Sequence, residues 1–178
     1  GYAYLPIHQE ADLIANLRRQ LEALNDYQFT DSEWEQFSQN AIANPNEHIV
    51  EKTRKIQEDF VQVLRRDDGT SKNISLIEQQ NIHNNRLQVI NQYEVSQEQG
   101  AKHDNRYDVT VLVNGLPLVH LELKPRGVAL RDAFNQINRY PTDSFRAGCG
   151  LFGLVQHLLL PNRTHTKHPH HPPPAKPQ

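Results

Sequence analysis

The residues with the clearest chemical potential are two carboxylates and a lysine. Asp108 precedes a Glu-x-Lys pair formed by Glu122 and Lys124. Carboxylate oxygens suit Mg²⁺, which commonly takes only one or two protein carboxylates and keeps several waters. A lysine beside such a site can steer or help deprotonate the attacking water and offset charge in the transition state. An acid followed by Glu-x-Lys is therefore the minimum apparatus for metal-assisted phosphodiester hydrolysis, with Asp108 and Glu122 as metal ligands.

The pattern around these residues is that of a β-hairpin. Glu-x-Lys alone occurs by chance in many proteins, as an ion pair on a solvated strand face. Here two predicted strands, 107–113 and 118–124, carry apolar residues at their odd-numbered positions, which predicts one face buried against a core. The even positions carry the two carboxylates, the lysine and His120. We expect these groups on the opposite face.

The register of the hairpin decides whether the two carboxylates meet. Asn114 and Gly115 form the turn signal between the strands. A two-residue loop would place Asp108 opposite Leu121 and mix the two faces, at the cost of burying charge. A three-residue loop over 113–115 would place Asp108 opposite His120, with the glutamate one step along the same face. The hydrophobic pattern favours the three-residue loop, which we predict.

Other elements frame the hairpin. Apolar residues at three- and four-residue steps predict helices, alternation predicts strands, and Thr30 to Glu33 has the pattern of a capping box. The predicted helices are 11–24, the segment opened by the capping box, 49–64 and 130–139, and the remaining predicted strands are 87–95 and 151–160. This mixture predicts an α/β fold.

In this setting the sequence resembles a known family. The resemblance lies in three segments: Arg-Tyr-Asp-Val at 106–109, Val-Asn-Gly-Leu-Pro-Leu-Val at 113–119 and Leu-Glu-Leu-Lys-Pro-Arg-Gly at 121–127. They resemble the nuclease signature of the large (R) subunit of type I restriction enzymes, a member of the PD-(D/E)XK superfamily. The following Gln136 and Tyr140, one helical turn apart, resemble the family's Gln-x-x-x-Tyr helix.

The resemblance implies both a fold and an activity. It implies a restriction-endonuclease-like core of order αβββαβ, Mg²⁺ dependence and cleavage of double-stranded DNA. It also implies that Gln136 and Tyr140 support the site, that an ATP-driven translocase follows in the same subunit, and that methyltransferase and specificity subunits are partners. A phosphate-binding Gly-x-x-x-x-Gly-Lys-Ser/Thr loop is absent from the sequence. ATP binding by this chain is therefore not predicted. The family's acidic residue on a helix ahead of the core would lie upstream of Gly1.

The domain organisation follows from these elements. Residues 1–160 are predicted to form the nuclease domain, with a helical N-terminal insertion at about 10–65 and the catalytic core at about 73–160. Residues 161–178 are rich in His and Pro and nearly free of apolar residues, so we expect a disordered tail. Its histidines resemble a metal-binding tract, although a flexible tail lacks the preformed geometry of a site.

Composition limits the compartment and the partners. No apolar run approaches the roughly 20 residues that cross a bilayer, and no secretory leader opens the chain, so a cytoplasmic protein is expected. The single cysteine, Cys149, cannot form an internal disulfide. The net charge of −2 disfavours DNA binding by bulk electrostatics, which normally needs a basic surface. A catalytic module that partner subunits deliver to DNA is less affected by this argument.

Several residues, and the domain as a whole, have alternative interpretations. His120 is interpreted as a neighbour that fills the polar face rather than a ligand, and Glu78 is a candidate additional carboxylate. Arg126, with Arg131 and Arg139, could meet phosphates or be an ordinary solvated charge. One rival to the nuclease is a nuclease-like fold that acts only as a non-catalytic DNA-binding or subunit-docking module. Another is a stand-alone repair nuclease of the same superfamily.

Overall fold

The main sheet is mixed and carries helices beside it, which confirms the α/β prediction. The computed structural model describes residues 2–7, 9–95, 105–123, 151–161 and 166–167. The strands are β1 (Ala3–Tyr4), β2 (Val61–Arg65), β3 (Ser71–Ser75), β4 (Leu87–Val95), β5 (Asn105–Val113), β6 (Leu116–Leu121), β7 (His157–Pro161) and β8 (Thr166–Lys167). The helices are α1 (Glu10–Asn25), α2 (Asp31–Phe37) and α3 (Ile49–Gln57), and a π-helical turn, Ser38–Ile42, follows α2.

The order of the main sheet is β1-β4-β5-β6-β7, and the two-residue strand β8 pairs with the end of β7. Strands β4, β5 and β6 form an antiparallel run, whereas β1 pairs parallel with β4 and β7 pairs parallel with β6. Strands β2 and β3 form a separate antiparallel pair. The centre of the main sheet is thus the β5–β6 hairpin that carries Asp108 and Glu122. The tail predicted to be disordered contributes Thr166 and Lys167 to β8, and its residues 162–165 and 168–178 lie outside the described residues.

The first two helices lie close to their predicted positions. Leu13, Leu17 and Leu21 recur every four residues on α1 and are all buried, so this helix packs with one apolar stripe against the core. The capping box of α2 is confirmed, because the Thr30 hydroxyl accepts from the Glu33 amide and the Glu33 carboxylate accepts from the Thr30 amide.

The third helix is shorter than the sequence pattern indicated. The prediction of a helix over 49–64 is wrong beyond Gln57, since β2 begins at Val61. The turn before β3 includes Gly69, whose φ of +83° permits a tight reversal. The chain therefore folds back and offers β2 a pairing partner. A strand with a partner across the turn satisfies its backbone groups as well as a helix does.

The predicted strand over 151–160 is also only partly present. A short 3₁₀ helix, Leu151–Leu154, comes first, and β7 follows from His157. All four residues of the 3₁₀ helix are buried, as is Val155. A continuous apolar run is compatible with either conformation when the segment is buried on all sides. None of the helices within the described ranges is long and apolar enough to cross a membrane.

A buried carboxylate links α2 to the β2–β3 pair. Glu33 accepts hydrogen bonds from the Tyr27 hydroxyl at 2.8 Å and from the backbone amides of Thr30 and Asp67, each at 3.1 Å. Burial alone would raise the pKa of Glu33, but the three hydrogen bonds outweigh it and the pKa is lowered from its ordinary value of 4.5. Burial and the hydrogen bond to the Glu33 carboxylate raise the pKa of Tyr27.

We expect Glu33→Gln to lower the free energy of unfolding at neutral pH by about 1–3 kcal/mol, because an amide cannot accept all three hydrogen bonds. The lowered pKa means that the charge of Glu33 stabilises the fold fully above 4.5, and that this contribution disappears as the pH falls through the folded value. Urea unfolding as a function of pH measures both effects. Glu35→Gln, on the exposed side of α2, is the control. If the difference in unfolding free energy between wild type and Glu33→Gln stayed constant at acidic pH, the charge argument would be contradicted.

Candidate functional site

The turn of the β5–β6 hairpin contains two residues rather than three. Val113 pairs with Leu116, and both intervening residues are left-handed, with φ of +51° at Asn114 and +83° at Gly115. Two left-handed residues are what a type I′ turn requires. The predicted three-residue loop is therefore wrong. The Asn114 side chain stabilises the turn, because its amide donates to the Leu76 carbonyl and its oxygen accepts from the Arg86 amide.

A β-bulge then changes the register of the hairpin. Leu112 pairs with Pro117, but Val111 pairs with Val119, so β6 contains one extra residue, Leu118. Pro117 lacks a backbone N–H, and proline within sheets is found at bulges and edges. Neither of the two registers expected from the sequence included this bulge.

Beyond the bulge the pairing between β5 and β6 is regular. Thr110 pairs with His120, and Val109 pairs with Leu121, which is the last residue of β6. If the same register continued by one step, Asp108 would lie opposite Glu122. Side chains of directly opposed residues leave the same face of a sheet with Cβ atoms about 4.5–5.5 Å apart. The expectation that Asp108 lies opposite His120 is thus wrong, because His120 pairs with Thr110, two residues further along β5. The expectation that both acids share a face stays a prediction.

The face that carries these polar groups is the buried one, contrary to prediction. Thr110, His120 and Glu122 are 1%, 0% and 2% exposed, whereas Val109 and Leu121 on the other face are only half-buried. Near the turn of the hairpin, α1 packs against the sheet. Its Asn16 exchanges hydrogen bonds with Gln88 of β4, which pairs with the buried Leu112 of β5.

Hydrogen bonds hold each acidic residue in place. Asp108 is half-buried, and its carboxylate accepts from the Leu123 backbone amide at 2.7 Å. The backbone amide of Glu122 donates to the Leu159 carbonyl of β7 at 2.9 Å. The Glu122 carboxylate lies 3.5 Å from Nε2 of His120, whose Nδ1 lies 3.3 Å from the Thr110 hydroxyl.

The donor set fits a hard cation. Two acidic side chains that face each other in a largely buried position repel unless a positive charge lies between them or one of them is protonated. Mg²⁺ is satisfied by one or two carboxylates because water fills its other positions. Among the residues that the structure describes, no three His, Cys, Asp or Glu side chains form a metal-binding group. Asp108 and Glu122 are the two carboxylates that the sequence assigns to the cation.

The remaining residues of the predicted site cannot be located. Lys124, Arg126, Gln136 and Tyr140 lie outside the described residues, as does the predicted helix over 130–139. The sequence prediction missed Thr110, because its position opposite His120 emerges only when the bulge is counted.

Glu78 is not an additional carboxylate of this site. Its side chain accepts from the Gln80 amide at 2.7 Å, and its backbone is hydrogen-bonded to Asn85. Asn85 in turn contacts Asn114, in the turn of the hairpin. Asp108 lies five residues before the end of β5 at Val113, a distance of roughly 17 Å along a strand. Glu78 therefore belongs to the opposite end of the hairpin.

A mixed sheet with helices beside it, and with Asp108 and Glu122 on its central hairpin, defines an α/β protein with a candidate cation site. Comparison with known proteins then gives the family. The chain matches the family described as type I restriction enzyme R protein N terminus (HSDR_N) over residues 1–176, and it belongs to that family.

Three relatives show how far the similarity extends. The chain is 46% identical over 169 residues to the type I restriction enzyme EcoprrI endonuclease subunit of Escherichia coli, an alignment that covers 94% of this chain and 53% of that protein. It is 33% identical over 173 residues to the SsaAORF53P endonuclease subunit of Staphylococcus saprophyticus and to the SauMSSORF170P endonuclease subunit of Staphylococcus aureus. Those two alignments cover 94% of this chain and 17% of each relative. The chain thus spans about half the length of the first relative and about a sixth of the other two.

Proposed function

We propose that this chain is the metal-dependent endonuclease domain of a type I restriction enzyme and hydrolyses phosphodiester bonds of double-stranded DNA. The observation that supports the proposal is the register of the β5–β6 hairpin, whose continuation past Val109 and Leu121 would set Asp108 opposite Glu122. The names of the relatives, each an endonuclease subunit of a type I restriction enzyme, agree with it. We further propose that DNA, a specificity subunit and a methyltransferase subunit are its partners.

The sheet supports a restriction-endonuclease-like core. Strands β4, β5 and β6 form an antiparallel run, and β7 then pairs parallel to β6. Two parallel neighbours need a crossover connection, which is usually a helix. The segment between β6 and β7 contains the predicted helix over 130–139. With that predicted helix in place, the order would be βββαβ, as in the later part of the proposed αβββαβ core.

The proposed chemistry assigns a role to each site residue. Asp108 and Glu122 would hold Mg²⁺ through their carboxylates, and Mg²⁺ when bound supplies a Lewis acid that polarises a phosphate oxygen. Lys124, two residues beyond Glu122, would orient the attacking water and offset negative charge that develops on the phosphate. Gln136 and Tyr140 would support the site, and Arg126 would contact the DNA backbone.

The position of the site in the sheet suits this chemistry. The backbone amide of Leu123 holds the Asp108 carboxylate, and β7 holds the backbone of Glu122. Two ligands on adjacent paired strands keep their separation better than ligands on loops would. ATP-driven translocation is proposed for a part of the enzyme outside this chain.

The experiment that tests the proposal compares cleavage with binding in the assembled enzyme. DNA cleavage is measured with ATP while Mg²⁺ is replaced by Ca²⁺, and DNA binding is measured alongside. A nuclease should bind DNA in Ca²⁺ and cut only when Mg²⁺ is restored. ATP hydrolysis also uses Mg²⁺, so effects on the motor must be separated from effects on cleavage. This separation needs DNA that a second nuclease has already cut to a linear end, and a constant rate of ATP hydrolysis.

The rival function differs in what it predicts for cleavage. A non-catalytic docking or DNA-binding module would also bind its partner in either cation, so binding alone does not separate the two functions. Cleavage would then persist when both acidic residues of this chain are neutralised, because the cutting site would lie elsewhere. The half-buried Asp108 and the buried Glu122 at the end of the hairpin favour the nuclease, since a docking module needs no cation site there.

A further inference from the structure

We infer that His120 and Thr110 are positioning residues that fix the orientation of the Glu122 carboxylate, an inference that rests on the proposed role of Glu122 as a metal ligand. The three residues form a chain of contacts on the buried face of the hairpin. The Thr110 hydroxyl lies 3.3 Å from Nδ1 of His120, and Nε2 of His120 lies 3.5 Å from a carboxylate oxygen of Glu122.

The backbone places these groups in register. Thr110 and His120 are directly paired across β5 and β6, so their side chains leave the same face of the sheet. Glu122 is two residues beyond His120 on β6 and therefore shares that face. All three side chains are almost completely buried. Side chains packed this tightly have few alternative rotamers, and each contact in the chain limits the next.

The chemistry of the groups determines which atom donates and which accepts in each contact. An ionised carboxylate only accepts hydrogen bonds. For Nε2 of His120 to donate to that carboxylate, Nε2 must carry the ring proton, and the imidazole then has an unprotonated Nδ1 that can accept from the Thr110 hydroxyl. Thr110 thus selects the tautomer of His120, and His120 presents an N–H to the Glu122 carboxylate.

The two proposed ligands are held by different means. The carboxylate of Asp108 is held by a backbone amide, that of Leu123, which side-chain substitutions do not remove. The carboxylate of Glu122 is contacted by His120, which substitution does remove. Groups that orient a metal-binding side chain commonly contribute about 10- to 100-fold in metal affinity. Glu122 is therefore the ligand whose orientation is open to genetic test.

The test uses pairs of variants that differ in one donor. The amide nitrogen of glutamine reaches about as far as Nε2 of histidine, whereas that of asparagine reaches only about as far as Nδ1. We expect His120→Asn to weaken Mn²⁺ binding by the complete chain about tenfold, measured by calorimetry, and His120→Gln to restore most of the affinity. We expect Thr110→Val, which keeps the shape and removes the hydroxyl, to weaken binding, and Thr110→Ser to retain it.

A spectroscopic readout tests the same chain of contacts without a metal. Nitrogen-15 NMR of the metal-free protein, with the His120 signals assigned by their loss in His120→Gln, should show the proton on Nε2. Thr110→Val should shift the ring toward a mixture of tautomers, and Thr110→Ser should not. A merely structural role for Thr110 would leave the tautomer unchanged. A wild-type ring protonated on Nδ1 alone would overturn the inference.

Two further variants separate failure of this inference from failure of the proposed function. Glu122→Gln and Asp108→Asn should each abolish or strongly weaken Mn²⁺ binding. If they do and His120→Asn binds Mn²⁺ like wild type, the positioning role is overturned while the ligand role stands. If Glu122→Gln itself binds Mn²⁺ normally, the proposed ligand role is overturned, and the positioning role with it.

Discussion

Asp108→Asn is expected to lower the rate of DNA cleavage by the assembled enzyme by at least about 10²-fold, while DNA binding persists. A metal ion contributes several kcal/mol of charge stabilisation to a phosphoryl transition state, and each 1.36 kcal/mol is a factor of about ten in rate. An amide at position 108 keeps the shape and the hydrogen bond from Leu123 but removes the charge that would hold the cation. The folded structure should therefore survive the substitution.

The same result is expected for Glu122→Gln and for Lys124→Ala. ATP hydrolysis should continue in each variant, because the proposed motor lies outside this chain. Glu78→Gln is the matched control, since this glutamate is at the turn end of the hairpin and its side chain only supports a local loop. Cleavage is measured on supercoiled plasmid DNA with ATP and Mg²⁺, at equal protein and with binding measured in parallel.

Normal cutting by Asp108→Asn or Lys124→Ala would contradict the proposed site. The opposed carboxylates would then be a structural pair, and the docking-module function would become the better explanation. Loss of cleavage together with loss of DNA binding in Asp108→Asn would point to a folding or assembly defect instead. Circular dichroism and thermal unfolding of each variant exclude that case.

The sequence predicted the hairpin because its signals are local. Alternating residues define each strand, and Asn114 followed by Gly115 favours a turn with two left-handed residues. The register was not predictable from the same signals. It depends on a bulge beside Pro117, and the hydrophobic pattern alone pointed to a longer loop. A bulge and a longer loop both restore alternation, so the pattern cannot distinguish them.

The buried face was predicted wrongly because burial is decided by distant parts of the chain. Thr110, His120 and Glu122 have the composition of a solvated face, but all three are almost completely buried in the folded chain. Polar groups can occupy such a face when they contact one another, as these three do. The contact between Asn16 and Gln88 that ties α1 to the sheet joins residues 72 positions apart, a pairing that no local pattern indicates.

Helix boundaries, too, were predictable where their signals are local and not where distant contacts decide them. The capping box at Thr30 was predictable because its partners are three residues apart. The end of α3 was not, since the strand that replaces the predicted last turns exists only through its pairing with β3. Lys124, Gln136 and Tyr140 remain sequence-based assignments.

Gly115→Ala is expected to destabilise the fold by about 2–5 kcal/mol, a large part of the roughly 5–15 kcal/mol that stabilises a typical domain. Two costs add. The φ of +83° at Gly115 lies in the left-handed region, which costs an alanine about 1–2 kcal/mol. A Cβ there would also lie 2.6 Å from the Cα of Leu17 and 3.2 Å from its nitrogen, and overpacking of this kind costs about 1–3 kcal/mol. The obstacle is the backbone of α1, which cannot rotate away as a side chain could.

Gly69→Ala separates the two costs. Gly69 has the same φ of +83°, but a Cβ there would meet nothing within 4 Å. It should therefore lose only the conformational part, about 1–2 kcal/mol. Urea unfolding of both variants gives the difference, which measures how closely the hairpin turn packs against α1. Equal losses in the two variants would show that α1 and the turn move apart easily. A larger loss in Gly115→Ala would show that the turn of the hairpin packs firmly against the backbone of α1.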